Sequence, residues 1–100
     1  VTAASLGANI DRALSLNTNH LPEHLGSAGL DRIEGLAAES IEGGWFIYVP
    51  SGSDEWWERE TADLPAEVRA VLDYARKRAC RYIVMHCDES FVDDLPRWEW

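Results

Sequence analysis

The pair Gly43-Gly44, followed by Trp45-Phe46-Ile47-Tyr48-Val49 and closed by Pro50, constrains this chain more than any other run of its residues. Adjacent glycines mark a turn, and aromatic and β-branched side chains fit the pleated surface of a strand. Proline, which lacks an N–H, closes the run. The chain therefore has to build a sheet around this segment. A weaker strand over residues 36–39 precedes the turn and makes the two a hairpin around residues 42–44. Within 30–41, Leu30, Ile33 and Leu36 also fit one helical face, so helix and strand both stand there, with strand preferred.

The flanking segments supply the rest. Ala13, Leu14, Leu16 and Thr18 sit among polar neighbours in a run without breakers, which suits a first strand ending near Asn19. Pro22 is well placed to open a short helix reaching about Gly26. Residues 51–63 are polar and acidic and read as a long loop or a short helical insertion. Leu64, Val68, Val71, Leu72 and Ala75 then recur at helical steps behind Pro65, with Arg76, Lys77 and Arg78 in the last turn, where cations complement the helix dipole. Residues 81–86 read as an inner strand covered on both faces, because Tyr82-Ile83-Val84-Met85 is continuously apolar. Residues 1–11 read as a loosely ordered arm and 91–100 as an irregular tail. The order β-α-β-β-α-β predicts an α+β class: one small domain, about four mostly antiparallel strands with helices on one face, matching a split βαβ or ferredoxin-like sandwich.

Composition narrows the function classes. With 46% hydrophobic and 10% aromatic residues the chain has ordinary globular content and is expected to fold. No apolar stretch approaches the roughly 20 residues of a membrane span, and the first residues carry neither the basic nor the apolar region of a secretory leader. Two cysteines, Cys80 and Cys87, make no disulfide framework, so free thiols and a cytoplasmic location are expected. A formal charge of −9 repels a phosphate backbone, which argues against direct nucleic-acid binding.

Several constellations resemble chemistry. His20-Leu21-Pro22-Glu23-His24 has the H-x-x-E-H order of inverted zinc peptidases, yet Pro22 opposes one helix carrying both imidazoles. The plain reading is a strand-to-helix junction with His20 capping or packed and His24 in solvent. His86, Cys87 and Asp88 offer N, S and O donors, but their spacing is no established ligand pattern and strand alternation sends His86 and Cys87 to opposite faces. The same alternation keeps His86 from serving as a base for Cys87. Cys80, beside Arg78 and Arg81, reads as structural. Arg76-Lys77-Arg78 with Arg81 is the one basic cluster, and helix-end electrostatics account for it. The sequence thus predicts no catalytic residue, no metal and no cofactor.

Acid and tryptophan together are the unusual feature. Residues 51–100 hold 12 of the 18 acids. Asp54, Glu55 and Glu58 surround Trp56 and Trp57, and further acids surround Trp98 and Trp100. Trp45 is expected to close the core, whereas Trp56, Trp57, Trp98 and Trp100 with Asp54, Glu55 and Glu58 are the expected binding surface, since tryptophan is enriched at interfaces and its ring attracts cations. The partner so predicted is a basic protein, with a cationic or aromatic small molecule as the alternative. An aromatic tail also favours a homodimer, although no residue pattern decides it.

Three motifs in order, Leu16-Asn17-Thr18-Asn19-His20-Leu21-Pro22, Gly44-Trp45-Phe46-Ile47-Tyr48-Val49 and Asp94-Leu95-Pro96-Arg97-Trp98-Glu99-Trp100, resemble a family of small uncharacterised bacterial proteins often carried on plasmids and other mobile elements. The chain departs from that pattern at Asn17, where serine is expected, and at Glu99, where aspartate is expected. The resemblance implies a bacterial accessory protein of mobile-gene origin and brings no activity and no catalytic residue with it.

Overall fold

The computed structural model describes residues 11–99. Strand β1 (Ala13–Asn17) runs into a 3₁₀ turn (Thr18–His20), helix α1 (Glu23–Ala28) and a second 3₁₀ turn (Leu30–Arg32). The hairpin β2 (Ala38–Ile41) and β3 (Gly44–Tyr48) follows, then α2 (Asp54–Thr61), α3 (Ala66–Lys77) and β4 (Tyr82–His86). The four strands form one sheet in the order β1-β4-β3-β2. β3 is antiparallel to both β2 and β4, and β1 is parallel to β4.

The α+β class and the one-sided placement of the helices match the expectation. The ferredoxin-like strand order does not: there the first strand lies between the third and fourth, whereas here β4 lies between β1 and β3. The reason lies in composition. β4 brings the wholly buried Ile83 and Met85 and takes the inner position, while β1, with exposed Ala13 and Ser15, lies at the edge. Covering of β4 on both faces is also corrected, because Tyr82, Val84 and His86 on its second face are only half-buried.

Register explains the core. Leu14, Ile83 and Ile47 form one row across the sheet and Leu16, Met85 and Trp45 the next. Val68, Val71, Leu72 and Ala75 of α3 and Trp57 of α2 close over these rows, with Leu25 and Leu30 from the first crossover. Each fully buried aliphatic side chain contributes about 1.5–3 kcal/mol.

Within 51–63, expected as a long loop or a short helical insertion, Asp54–Thr61 forms helix α2. Ser53 caps it, its Oγ accepting from the Trp56 N–H at 3.1 Å, and Asp54 and Glu55 complement the dipole in the first turn. β2 begins two residues later than the 36–39 expectation, because Leu36 is buried in the core ahead of it. Glu42 and Gly43 make the hairpin turn, for which Gly43 takes φ +79°. The arm expected over 1–11 lies, except for Asp11, outside the described residues.

Candidate functional site

At the carboxyl end of the parallel pair, the segment after β1 holds the C-terminal tail by a series of side-chain bonds. Asn17, buried, donates from Nδ2 to the carbonyls of Cys87 (3.1 Å) and Glu89 (2.7 Å), and its Oδ1 accepts from the Asn19 N–H at 2.8 Å. Asn19 and Trp98 pair reciprocally: Asn19 Nδ2 donates to the Trp98 carbonyl at 3.1 Å and the Trp98 N–H to the Asn19 carbonyl at 2.8 Å. His20, 1% exposed, lies 2.8 Å from the Pro96 carbonyl through Nδ1 and accepts the Val92 N–H at 3.0 Å through Nε2. One neutral tautomer, protonated at Nδ1, satisfies both partners. The Phe91 ring meets the imidazole edge-on at 5.3 Å.

Two of the motifs behind the family resemblance, 16–22 and the described part of the third, 94–99, are thus halves of one structural unit. The H-x-x-E-H order does not form a metal pair: His20 ends a 3₁₀ turn with both nitrogens engaged, and His24 is exposed on α1.

The acidic tryptophan surface divides. Trp57 is 4% exposed and belongs to the core, with Arg76 stacked 4.6 Å from its ring centre. Trp56 is half-buried against the core and Gly52, Glu55 is exposed, and Trp98 is exposed on the tail. Asp54 pairs with Arg76 at 2.9 Å and Glu58 with Arg69 at 3.1 Å. Trp100 lies outside the described residues. The basic cluster is internally matched as well: Lys77 to Asp73, Arg78 to Asp94 and over the Tyr74 ring, Arg81 to Asp11.

A surface that sequence reasoning missed is the second face of the sheet. Period-two alternation sends Phe46 and Tyr48 opposite to Trp45 and Ile47, and the register sets Phe46 beside Val84 and Glu39, and Tyr48 beside Tyr82. The rings of Phe46, Tyr48 and Tyr82 meet one another with centroids 5.2, 5.2 and 5.7 Å apart. Tyr48 is 42% exposed and Ile41, on the same face, 37%.

Tyr48 donates its hydroxyl to Glu39 Oε2 at 3.0 Å. That hydrogen bond, then the carboxylate's charge, partial burial and the neighbouring Tyr82 push the phenol above its ordinary value. Since the folded value is raised, the bond is fully present at neutral pH and is lost only as pH climbs through the raised value. In a resonance-resolved alkaline titration, Glu39→Gln should bring Tyr48 back toward an ordinary phenol; no change in the variant would remove Glu39 as the cause.

At the end of β4 the strand stops at His86 and the chain turns, so His86, Cys87 and Asp88 do not alternate as an extended strand would. Their ligating atoms lie within 4.8 Å of one another.

Fold and sites define a small α+β domain with a pinned C-terminal tail and an open aromatic sheet face. The chain belongs to a family of unknown function, DUF5983, whose C-terminal domain matches residues 13–100. Neither a curated protein nor a solved structure matches it.

Proposed function

We propose that this domain is a docking module for a basic protein partner, and that the partner seats on the open face of the sheet. The observation that carries the reading is the three-ring cluster of Phe46, Tyr48 and Tyr82 on a face the helices leave uncovered. Aromatic rings are the anchors that dominate protein interfaces, and contiguous exposed apolar surface marks interaction sites. The three rings are in mutual contact, two pairs edge to face and Phe46 with Tyr82 tilted at 35°, and such a contiguous aromatic surface suits a protein partner better than a small cationic molecule. A basic partner is favoured over a second copy, because two chains of charge −9 repel each other. Nucleic acid is disfavoured for the same reason, and Arg76, Lys77, Arg78 and Arg81 each already have an acid of their own. Glu55 and Trp56 on α2 and Trp98 on the tail lie outside this ring cluster and are the remaining candidates for partner contact.

The bacterial, mobile-element setting implied by the motif order belongs to the same proposal, as does a reducing cytoplasm, which the exposed free Cys87 fits.

The test is capture of a partner, followed by titration with the purified partner. The partner should be basic, and Phe46→Ala with Tyr82→Ala should weaken it by at least about 2 kcal/mol, roughly thirtyfold. Raising the salt should slow association. Unchanged affinity in the double variant would sink the assignment to this face, and self-association lost in that variant would replace the partner by a second copy.

A further inference from the structure

We propose that His86, Cys87 and Asp88 form a surface site for a divalent transition metal, with zinc as the ion it suits best. Imidazole nitrogen, thiolate sulfur and carboxylate oxygen are the three donor types zinc takes, and softer sulfur beside nitrogen selects against magnesium and calcium. The three ligating atoms lie within 4.8 Å of one another. Asp88 has one oxygen 3.9 Å from His86 Nδ1 and the other 3.9 Å from Cys87 Sγ. A tetrahedral zinc site sets such donors about 3.3–3.6 Å apart, so closure needs only small side-chain rotations.

The turn that presents these donors is fixed from behind. Asn17 holds the carbonyls of Cys87 and Glu89, the Cys87 N–H donates to the Gly43 carbonyl at 3.0 Å, and the Glu89 N–H donates to the His86 carbonyl at 3.2 Å. The His86 ring lies against Gly43, where a Cβ would come within 2.5 Å of Nε2. Its Nδ1 accepts the Asp88 N–H at 3.1 Å, so the lone pair already points into the turn. The bonds to Asn17 and Gly43 hold the turn's backbone before an ion arrives, whereas the Nδ1 bond shows only where the lone pair points and is given up on binding.

On binding, the Cys87 thiol releases its proton to solvent and the sulfur donates as thiolate. Nδ1 exchanges the Asp88 N–H for the metal, and the carboxylate adds the second negative charge that balances the ion. Three protein ligands leave a fourth position for water.

The experiment is a cobalt(II) titration of the full chain, reduced with a phosphine, followed by zinc competition. One equivalent of cobalt should bring up a thiolate-to-metal charge-transfer band that one equivalent of zinc removes. Cys87→Ser should abolish the band, and Cys80→Ser should leave it. His86→Gln, which keeps bulk against Gly43, and Asp88→Asn should each weaken zinc at least about tenfold, a loss seen even for outer partners of a ligand. Far-ultraviolet circular dichroism confirms that each variant is folded. No band, a band that survives Cys87→Ser, or zinc affinity unchanged in His86→Gln would overturn the site.

Discussion

Gly44→Ala is expected to cost about 3 kcal/mol or more, at the upper end of overpacking penalties. A Cβ on Gly44 would fall 1.7 Å from the Met85 carbonyl oxygen and 3.1 Å from the His86 Cα. Those neighbours are backbone, so no rotamer change relieves the clash, and β3 would have to separate from β4 where Gly44 pairs with His86. Against a total stability of about 5–15 kcal/mol this is a large fraction. Gly35→Ala gives the contrast. Its φ is +88° but its nearest neighbour would be Leu64 Cδ2 at 3.6 Å, so only the left-handed backbone is penalised, by about 1–2 kcal/mol. Urea unfolding of both variants checks the order; a Gly44→Ala loss no larger than that of Gly35→Ala would mean that the strands adjust to admit a side chain.

The same glycine pair shows how far the sequence was legible. Gly43-Gly44 and the aromatic run placed the hairpin correctly, because turn chemistry and strand propensity are local. Helix α3 was equally plain from its apolar period and its proline start. The inner place of β4 was legible in its apolar centre, but the full strand order was not, since which strands flank β4 depends on non-local pairing. The open face was hidden by the very run that marked the strand. Trp45-Phe46-Ile47-Tyr48-Val49 is apolar at every position, so composition gave no alternation, and only register separates the core pair Trp45 and Ile47 from the outward pair Phe46 and Tyr48. Trp57 misled in the opposite way. Its acidic neighbours suggested a surface, while a helix carries Asp54, Glu55 and Glu58 outward and turns Trp57 in. The His86, Cys87 and Asp88 donors were visible in sequence but set aside, because strand alternation was applied to Cys87, which lies in the turn after the strand ends at His86.

His20→Ala is expected to destabilise the domain by about 3 kcal/mol, lowering the melting temperature by roughly 10–20 °C. Truncation would remove a wholly buried imidazole, leave the Val92 N–H and the Pro96 carbonyl without their partner, and take away the ring against which Phe91 stands. Neither backbone group belongs to regular secondary structure, so the sheet offers no substitute bond. The loss should therefore appear first in the tail. Amide exchange at Val92 should lose protection before the amides of β4 do, and Trp98, held to Asn19 on the same bracket, should follow. Asn19→Ala, which removes the exposed bond from Nδ2 to the Trp98 carbonyl and the weaker 3.3 Å bond that Oδ1 accepts from the Thr18 hydroxyl, should cost about 1 kcal/mol. Chemical denaturation with residue-resolved hydrogen exchange measures both. If His20→Ala left the midpoint and Val92 protection unchanged, the histidine would have no structural role to explain its burial. A doubly bonded imidazole 1% exposed beside the Asn17 and Asn19 bonds would then have to be accounted for by chemistry instead.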